Sequence, residues 1–164
     1  MKLGERIDKF SEPPHPKGIS IDGNLVTLEP LVANQFAEEL FLSNAIDTEG
    51  DNWTYLPYGP FENQSEYTSW IKSFEGGHDP VFFAIVSKKL KKAIGIASYL
   101  RINQAAGSIE VGHINYSPLL QKTTEATEVM YLMMKWAFEN GYRRYEWKCN
   151  ALNLRSRAAA QRFG

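Results

Sequence analysis

The chain has 164 residues, 43% apolar and 23% charged, with a formal net charge of −1. That balance fits one packed domain and excludes a disordered tail and a globally basic nucleic-acid binder; no stretch nears the roughly 18 consecutive apolar residues of a membrane-spanning helix. The lone cysteine, Cys149, rules out an intrachain disulfide and suits a reducing, cytoplasmic compartment, and Met1 to Glu5 lacks the apolar core of a signal peptide behind it.

Residues 1–23 hold Pro13, Pro14 and Pro16 without an apolar period and read as an extended arm leading into a single domain over 24–164. Leu25 to Leu31 alternates as a first strand, and Gln35 to Leu42 has helical spacing. Asn52 to Asn63, rich in aromatics, Pro and Gly, is a loop. Ser65 is placed to cap a short helix carrying Tyr67, Trp70 and Phe74. Val81 to Val86, the lysine-rich turn Ser87 to Lys92 and Ala93 to Ile102 form a hairpin, and Gln104 to Gly107 turns the chain into a third antiparallel strand, Ser108 to Tyr116. The next helix sets Val129, Leu132, Met133, Trp136 and Ala137 at core spacing, with Gly141 after its end. Tyr145, Trp147 and Cys149 alternate with Arg144, Glu146 and Lys148 as a strand with one buried face, Cys149 included, and a last helix covers about Asn153 to Phe163. The fold class is α+β, a mixed three-layer α/β/α arrangement.

Charge is unevenly spread. Between Glu29 and Asp79 ten acidic residues face one base, Lys72, whereas from Tyr142 onward Arg and Lys exceed the lone Glu146 by five. Such asymmetry would suit an anionic cofactor toward the C-terminal end and a cationic substrate toward the N-terminal half. The three histidines and one cysteine lack metal-ligand spacing, no GxGxxG or P-loop lysine pattern occurs, and no nucleophile signature surrounds Cys149 to support a thiol hydrolase with His113.

The most informative segment begins at Ser117. Gln121-Lys122-Thr123-Thr124-Glu125-Ala126-Thr127 is a hydroxyl-rich loop opening a helix, where unpaired N–H groups and the positive dipole end can hold a phosphate. This pattern, followed by Asn153-Leu154-Arg155-Ser156, resembles the GNAT superfamily of N-acetyltransferases, in particular its ribosomal-protein N-terminal acetyltransferase branch, over roughly residues 24–164. The loop is similar to the family's acyl-CoA pyrophosphate loop, with Thr124 where a glycine is usual.

The resemblance implies a mostly antiparallel central sheet whose C-terminal strands are missing from a chain cut short at Gly164. It also implies acetyl-CoA as co-substrate, no metal, an amine acceptor such as a protein N-terminus, no nucleic-acid or membrane partner, and room for a homodimer. It places the pyrophosphate on Gln121 to Thr127. The pantetheine arm would lie between Asn115, Tyr116 and Ser117 on one side and Cys149 and Asn150 on the other, with Asn153 on an amide and Ser156 near the sulfur. By position it makes Glu110 the general base, directly or through water, and Ser156, with Tyr116 in reserve, the acid for the departing thiolate. A strand N–H near Asn115 would meet the oxyanion. In a regular strand His113 would face away from Glu110. Neutralising a lysine-like amine at pH 7 costs about 4.6 kcal/mol, against about 1 kcal/mol for an α-amine, so a base matters more for side-chain amines. The alternative reading is an acyl-CoA-binding module that has lost catalysis.

Overall fold

The computed structural model describes residues 10–164. Six strands form one sheet in sequence order: β1 (Ile21–Asp22), β2 (Val26–Pro30), β3 (Val81–Ser87), β4 (Lys92–Asn103), β5 (Ser108–Tyr116) and β6 (Arg144–Trp147). Every neighbouring pair is antiparallel except β5 and β6, which run parallel because helix α3 (Thr124–Glu139) carries the chain back between them. Helices α1 (Ala33–Asn44) and α2 (Gln64–Phe74) precede the central hairpin, and α4 (Leu154–Phe163) ends the chain.

Strand alternation builds two cores. In β3, Phe83 and Ile85 turn toward one face, where they join Ile94, Tyr99, Ile109 and Val111 and the α3 residues Val129, Met130, Met133 and Ala137. Phe82 and Ala84 turn the other way, against Phe36 and Leu40 of α1 and Tyr67 and Ile71 of α2. The result is the three-layer order of helices, sheet and helices. Asn63, not Ser65, caps α2: its side chain accepts from the Glu66 N–H at 3.0 Å while Glu66 accepts from the Glu62 N–H, so a reciprocal cap starts the helix earlier. Strand β6 stops at Trp147, and Cys149 is exposed, which corrects the expectation of a buried strand cysteine.

Residues 1–9 of the expected arm lie outside the described residues. The remainder is extended but docked: the Pro13 and Pro14 carbonyls accept from Gln104 and Tyr142, and Ile21 pairs with Leu28 as β1. The turn joining β1 to β2 is held from α3, since the Glu128 carboxylate accepts from the N–H groups of Asn24, Leu25 and Val26 at 2.8, 2.7 and 2.9 Å. Glu128→Ala orphans three donors at the partly exposed turn. Its expected cost is about 1–3 kcal/mol, read as a urea-midpoint loss with unchanged slope.

The acidic run from Glu29 to Asp79 also has structural employment. Glu39, Asp47, Glu75 and Asp79 accept from the backbone N–H groups of Ala93, Asn52, Ala33 and the Arg101–Ile102 pair. These carboxylates cap backbone, which accounts for much of the asymmetry without a cationic substrate.

Candidate functional site

The site is built where the sheet opens. β5 and β6 pair only from Ser108↔Arg144 to Val111↔Trp147, and β5 then runs on to Tyr116 without a partner on that side. On its other side, Ile96 pairs with Asn115 and Ser98 with Gly112, so His113 and Ile114 together oppose Ala97. This is a β-bulge, and its left-handed residue is His113, with φ of +49°. The extra residue reverses the alternation beyond it: Ile109, Val111, Ile114 and Tyr116 pack toward α3, while His113 rests on Phe82 and Asn115 reaches Asn52 on the α1/α2 side. His113 therefore faces the same side as Glu110, contrary to the regular-strand expectation, because the bulge inserts one residue between them.

Glu110 is 3% exposed and both of its oxygens are occupied, Oε1 by Arg101 Nη1 and Oε2 by Lys148 Nζ, each at 2.5 Å. Lys148 also bonds Glu146, and Arg144 pairs with Glu146 at 2.7 Å. The hydrogen bond to Glu110 is the main reason that Arg101 and Lys148 are each shifted to a higher pKa. This network ties β4, β5 and the end of β6 together at the point where the gap begins.

Of the residues expected along the gap, Asn115 is buried with its Oδ1 unpartnered, and Tyr116 buries an unpartnered hydroxyl whose pKa burial pushes far up. Ser117 donates to the Ile94 carbonyl at 2.6 Å and anchors the chain leaving β5. Gln121 turns inward, its Nε2 donating to Asn52 Oδ1 and to the Tyr116 carbonyl. Lys122 is left-handed at φ of +59°. Thr123 is the N-cap of α3, accepting from the Ala126 N–H at 3.1 Å. Thr124 is exposed at the first helical position, where a threonine meets no left-handed requirement, and Glu125 accepts from Ser87. With Ala126 satisfied by the cap, the N–H groups of Thr124 and Glu125 have no acceptor within the helix. A groove of about 580 Å³ runs beside them, lined also by Lys88 and Lys89, and Thr127 follows on the exposed side of α3.

Across the gap, Asn150 forms a local turn by accepting from the Leu152 N–H, and Asn153 caps α4 by accepting from the Ser156 N–H at 3.0 Å. Ser156 Oγ accepts from Trp147 Nε1 at 2.9 Å, which leaves its own O–H free to donate. The segment after α1 spans the gap: Asn52 meets Asn115 and Gln121, and the Tyr55 hydroxyl donates to the Leu152 carbonyl at 3.0 Å.

The fold brings Tyr58 and His113 together on this side of the sheet. The Tyr58 hydroxyl lies 3.0 Å from His113 Nδ1, with the two rings stacked at 5.6 Å and 16°. Trp70 flanks Tyr58 at 4.4 Å, and Phe82 flanks His113 at 5.2 Å. The aromatic content of Trp53 to Tyr58 was the available signal, but nothing local pairs position 58 with 113. Burial, and then the Arg101 charge, lower the His113 pKa, with Glu110 and Asp79 opposing.

A histidine with a folded pKa below its unfolded value of 6.5 binds fewer protons folded than unfolded. Its contribution is present above pH 6.5 and is lost as pH falls from there toward the lowered value. The urea midpoint is expected to drop between about pH 7 and pH 5, with part of that drop absent in His113→Asn. Among the described residues no group of three His, Cys, Asp or Glu side chains is arranged to hold a metal ion, and no helix is long and apolar enough to cross a membrane.

A family model described as an acetyltransferase (GNAT) domain matches residues 26–164. The fold and sequence are similar to a GCN5-related N-acetyltransferase from Brucella melitensis, 36% identical with a TM-score of 0.92, covering 96% of this chain and 72% of that one. A probable acetyltransferase of the GNAT family from Chromobacterium violaceum is likewise 36% identical, with a TM-score of 0.91 and coverage of 100% and 82%. The Microcin C7 self-immunity acetyltransferase MccE, solved with acetyl-CoA and AMP, shares the fold at 21% identity and a TM-score of 0.73, covering 87% of this chain and 79% of its own. No curated protein matches the chain.

Proposed function

The chain belongs to the GNAT acetyltransferase family, and on that premise we propose that it moves an acetyl group from acetyl-CoA to a primary amine, a peptide N-terminus or a small-molecule amine, by direct transfer in the cytoplasm. The observation that carries this reading is the gap between β5 and β6, which opens onto the bulge at one end and the N-terminus of α3 at the other.

Acetyl-CoA fits these residues in three respects. The free N–H groups at Thr124 and Glu125, at the positive end of α3 and beside Lys88 and Lys89, suit the pyrophosphate, with Gln121 to Thr127 as its loop. The unpartnered Asn115 Oδ1 is a buried polar atom on the β5 wall that a pantetheine amide would satisfy. Asn150, Asn153 and Ser156 stand on the opposite wall, and Ser156 keeps a free O–H for the thiolate.

The proposed reaction needs no metal. A bulge leaves a backbone N–H out of the ladder, and beside Asn115 such a donor suits the oxyanion. Two titratable groups lie on this face of β5: Glu110, the base that the resemblance implies, and His113.

Acetyl-CoA at about 100 times its dissociation constant is expected to stabilise the protein by about 2.7 kcal/mol. A thermal-shift titration followed by free-thiol release over peptides, polyamines and aminoglycosides tests both parts. No shift contradicts the cofactor assignment; a shift without thiol release from any amine favours a binding module.

A further inference from the structure

We propose that His113 is the group that takes the proton from the acceptor amine, with Tyr58 as its positioning residue. This rests on the acetyl-transfer reading of the same site and assigns the base within it.

The bulge is what brings His113 to the α1/α2 side of β5, two residues before the Asn115 wall of the gap. The left-handed backbone at His113 is uncommon outside glycine and is adopted most readily by asparagine, aspartate and histidine. The ring is fixed between Tyr58 and Phe82, and its Nδ1 is occupied by the Tyr58 hydroxyl. Nε2 has no hydrogen bond to the described residues and is not among the buried polar atoms closed off from solvent. That nitrogen is the open one.

Glu110 is the competing base, and its contacts disqualify it. Both oxygens already accept from full positive charges while the carboxylate itself is buried, so a proton on either would have to displace Arg101 or Lys148 from its ion pair. Lys148 leaves β6 at that point, so Glu110 holds the gap's shape instead.

The groups facing His113 are Tyr58 from the segment after α1, Phe82 from β3, Asp79 ahead of β3, Arg101 from β4 and Glu110 from β5. Their sum with burial keeps the imidazole neutral at pH 7. Tyr58, whose own pKa burial raises strongly, remains a hydroxyl and can accept from Nδ1–H, which leaves the Nε2 lone pair free and favours the imidazolium once formed.

In the step itself the amine nitrogen forms a bond to the acetyl carbonyl carbon, and the carbon–sulfur bond breaks with its electron pair on sulfur. The proton lost from nitrogen goes to His113 Nε2 and from there to the thiolate or to water. An acceptor that enters as ammonium releases one net proton.

The test compares wild type with His113→Asn, Tyr58→Phe and Glu110→Gln, using an unblocked hexapeptide, spermidine and benzylamine as acceptors. Asparagine tolerates the left-handed backbone and can bond Tyr58 but cannot take up a proton near neutrality. For His113→Asn we expect the acetyl-CoA thermal shift to persist, kcat to fall about 100-fold or more, and log(kcat/KM) against pH to lose the imidazole ionisation from its acid limb and keep only that of the acceptor amine. Tyr58→Phe removes an acceptor that favours the imidazolium, so its acid limb moves to lower pH. Glu110→Gln keeps the limb.

A His113→Asn protein with turnover within about threefold of wild type and an unchanged acid limb overturns the proposal, as does one that loses the thermal shift. A wild type that is stabilised by acetyl-CoA yet acetylates none of the three amines removes the transfer reading, and this inference falls with it.

Discussion

Thr124→Glu is expected to weaken acetyl-CoA binding by about 100-fold or more while leaving the unliganded protein as stable as before or slightly more so. Thr124 is exposed at the first position of α3, one residue after the Thr123 cap. A carboxylate there improves the helix, since a negative charge near the N-terminus contributes about 0.3–1 kcal/mol. The same carboxylate would occupy the space proposed for the pyrophosphate. Two unit charges about 4 Å apart at an effective dielectric of 20 repel by about 4 kcal/mol, which amounts to a loss of roughly 100-fold or more in affinity once solvent screens part of it. The opposite signs of the two effects separate them. Titrating acetyl-CoA by calorimetry and melting the free protein distinguishes ligand repulsion from general damage, because damage would lower both.

Phe83→Ala should produce the largest loss of stability. Phe83 is fully buried in β3, packs edge-on against Tyr99 at 5.6 Å, and pairs in register with Ala97, the residue that faces the bulge from β4. Removing the ring forfeits its transfer energy and leaves a cavity that a sheet held on both sides cannot close, a cost of about 3–5 kcal/mol. Against a typical stability of about 5–15 kcal/mol this is severe, and for a domain of this size it corresponds to roughly 6–20 °C in melting temperature. Denaturant unfolding checks it, the midpoint falling with the slope unchanged. A loss below about 1 kcal/mol would mean that the core behind the bulge repacks freely, contrary to the picture of a rigid sheet presenting the site.

The sequence carried β5 to its observed ends, because Gly107 and Ser117 bracket a run with strand alternation, and α3 was legible from the spacing of Val129, Met133 and Ala137. The short β1 was not. Two residues in a proline-rich segment have no period, and their pairing depends on a turn held by Glu128 from far along the chain.

The bulge was equally invisible, since nothing in Gly112-His113-Ile114 announces an extra residue; it exists only in the mismatch between the β4 and β5 registers. That one insertion changes which side chains share a face. For that reason alternation alone set His113 apart from Glu110. Glu110 stood as the base by its position in the family resemblance; its two cationic partners come from β4 and from beyond β6, neither adjacent in the chain. The start of α3 was legible for the opposite reason. A cap and the helix it starts are local, so Thr123 and its neighbours declared themselves.

Acetyl transfer onto an amine is the activity proposed for this gap. The most direct measurement is mass spectrometry of an amine acceptor incubated with isotopically labelled acetyl-CoA and the wild-type protein, with Thr124→Glu in parallel. A labelled acetyl group on nitrogen and one free CoA thiol for each acetyl transferred are expected, both strongly reduced in the variant at limiting acetyl-CoA. An acceptor that stays unmodified while acetyl-CoA is bound, or equal labelling by the variant, would contradict the proposal.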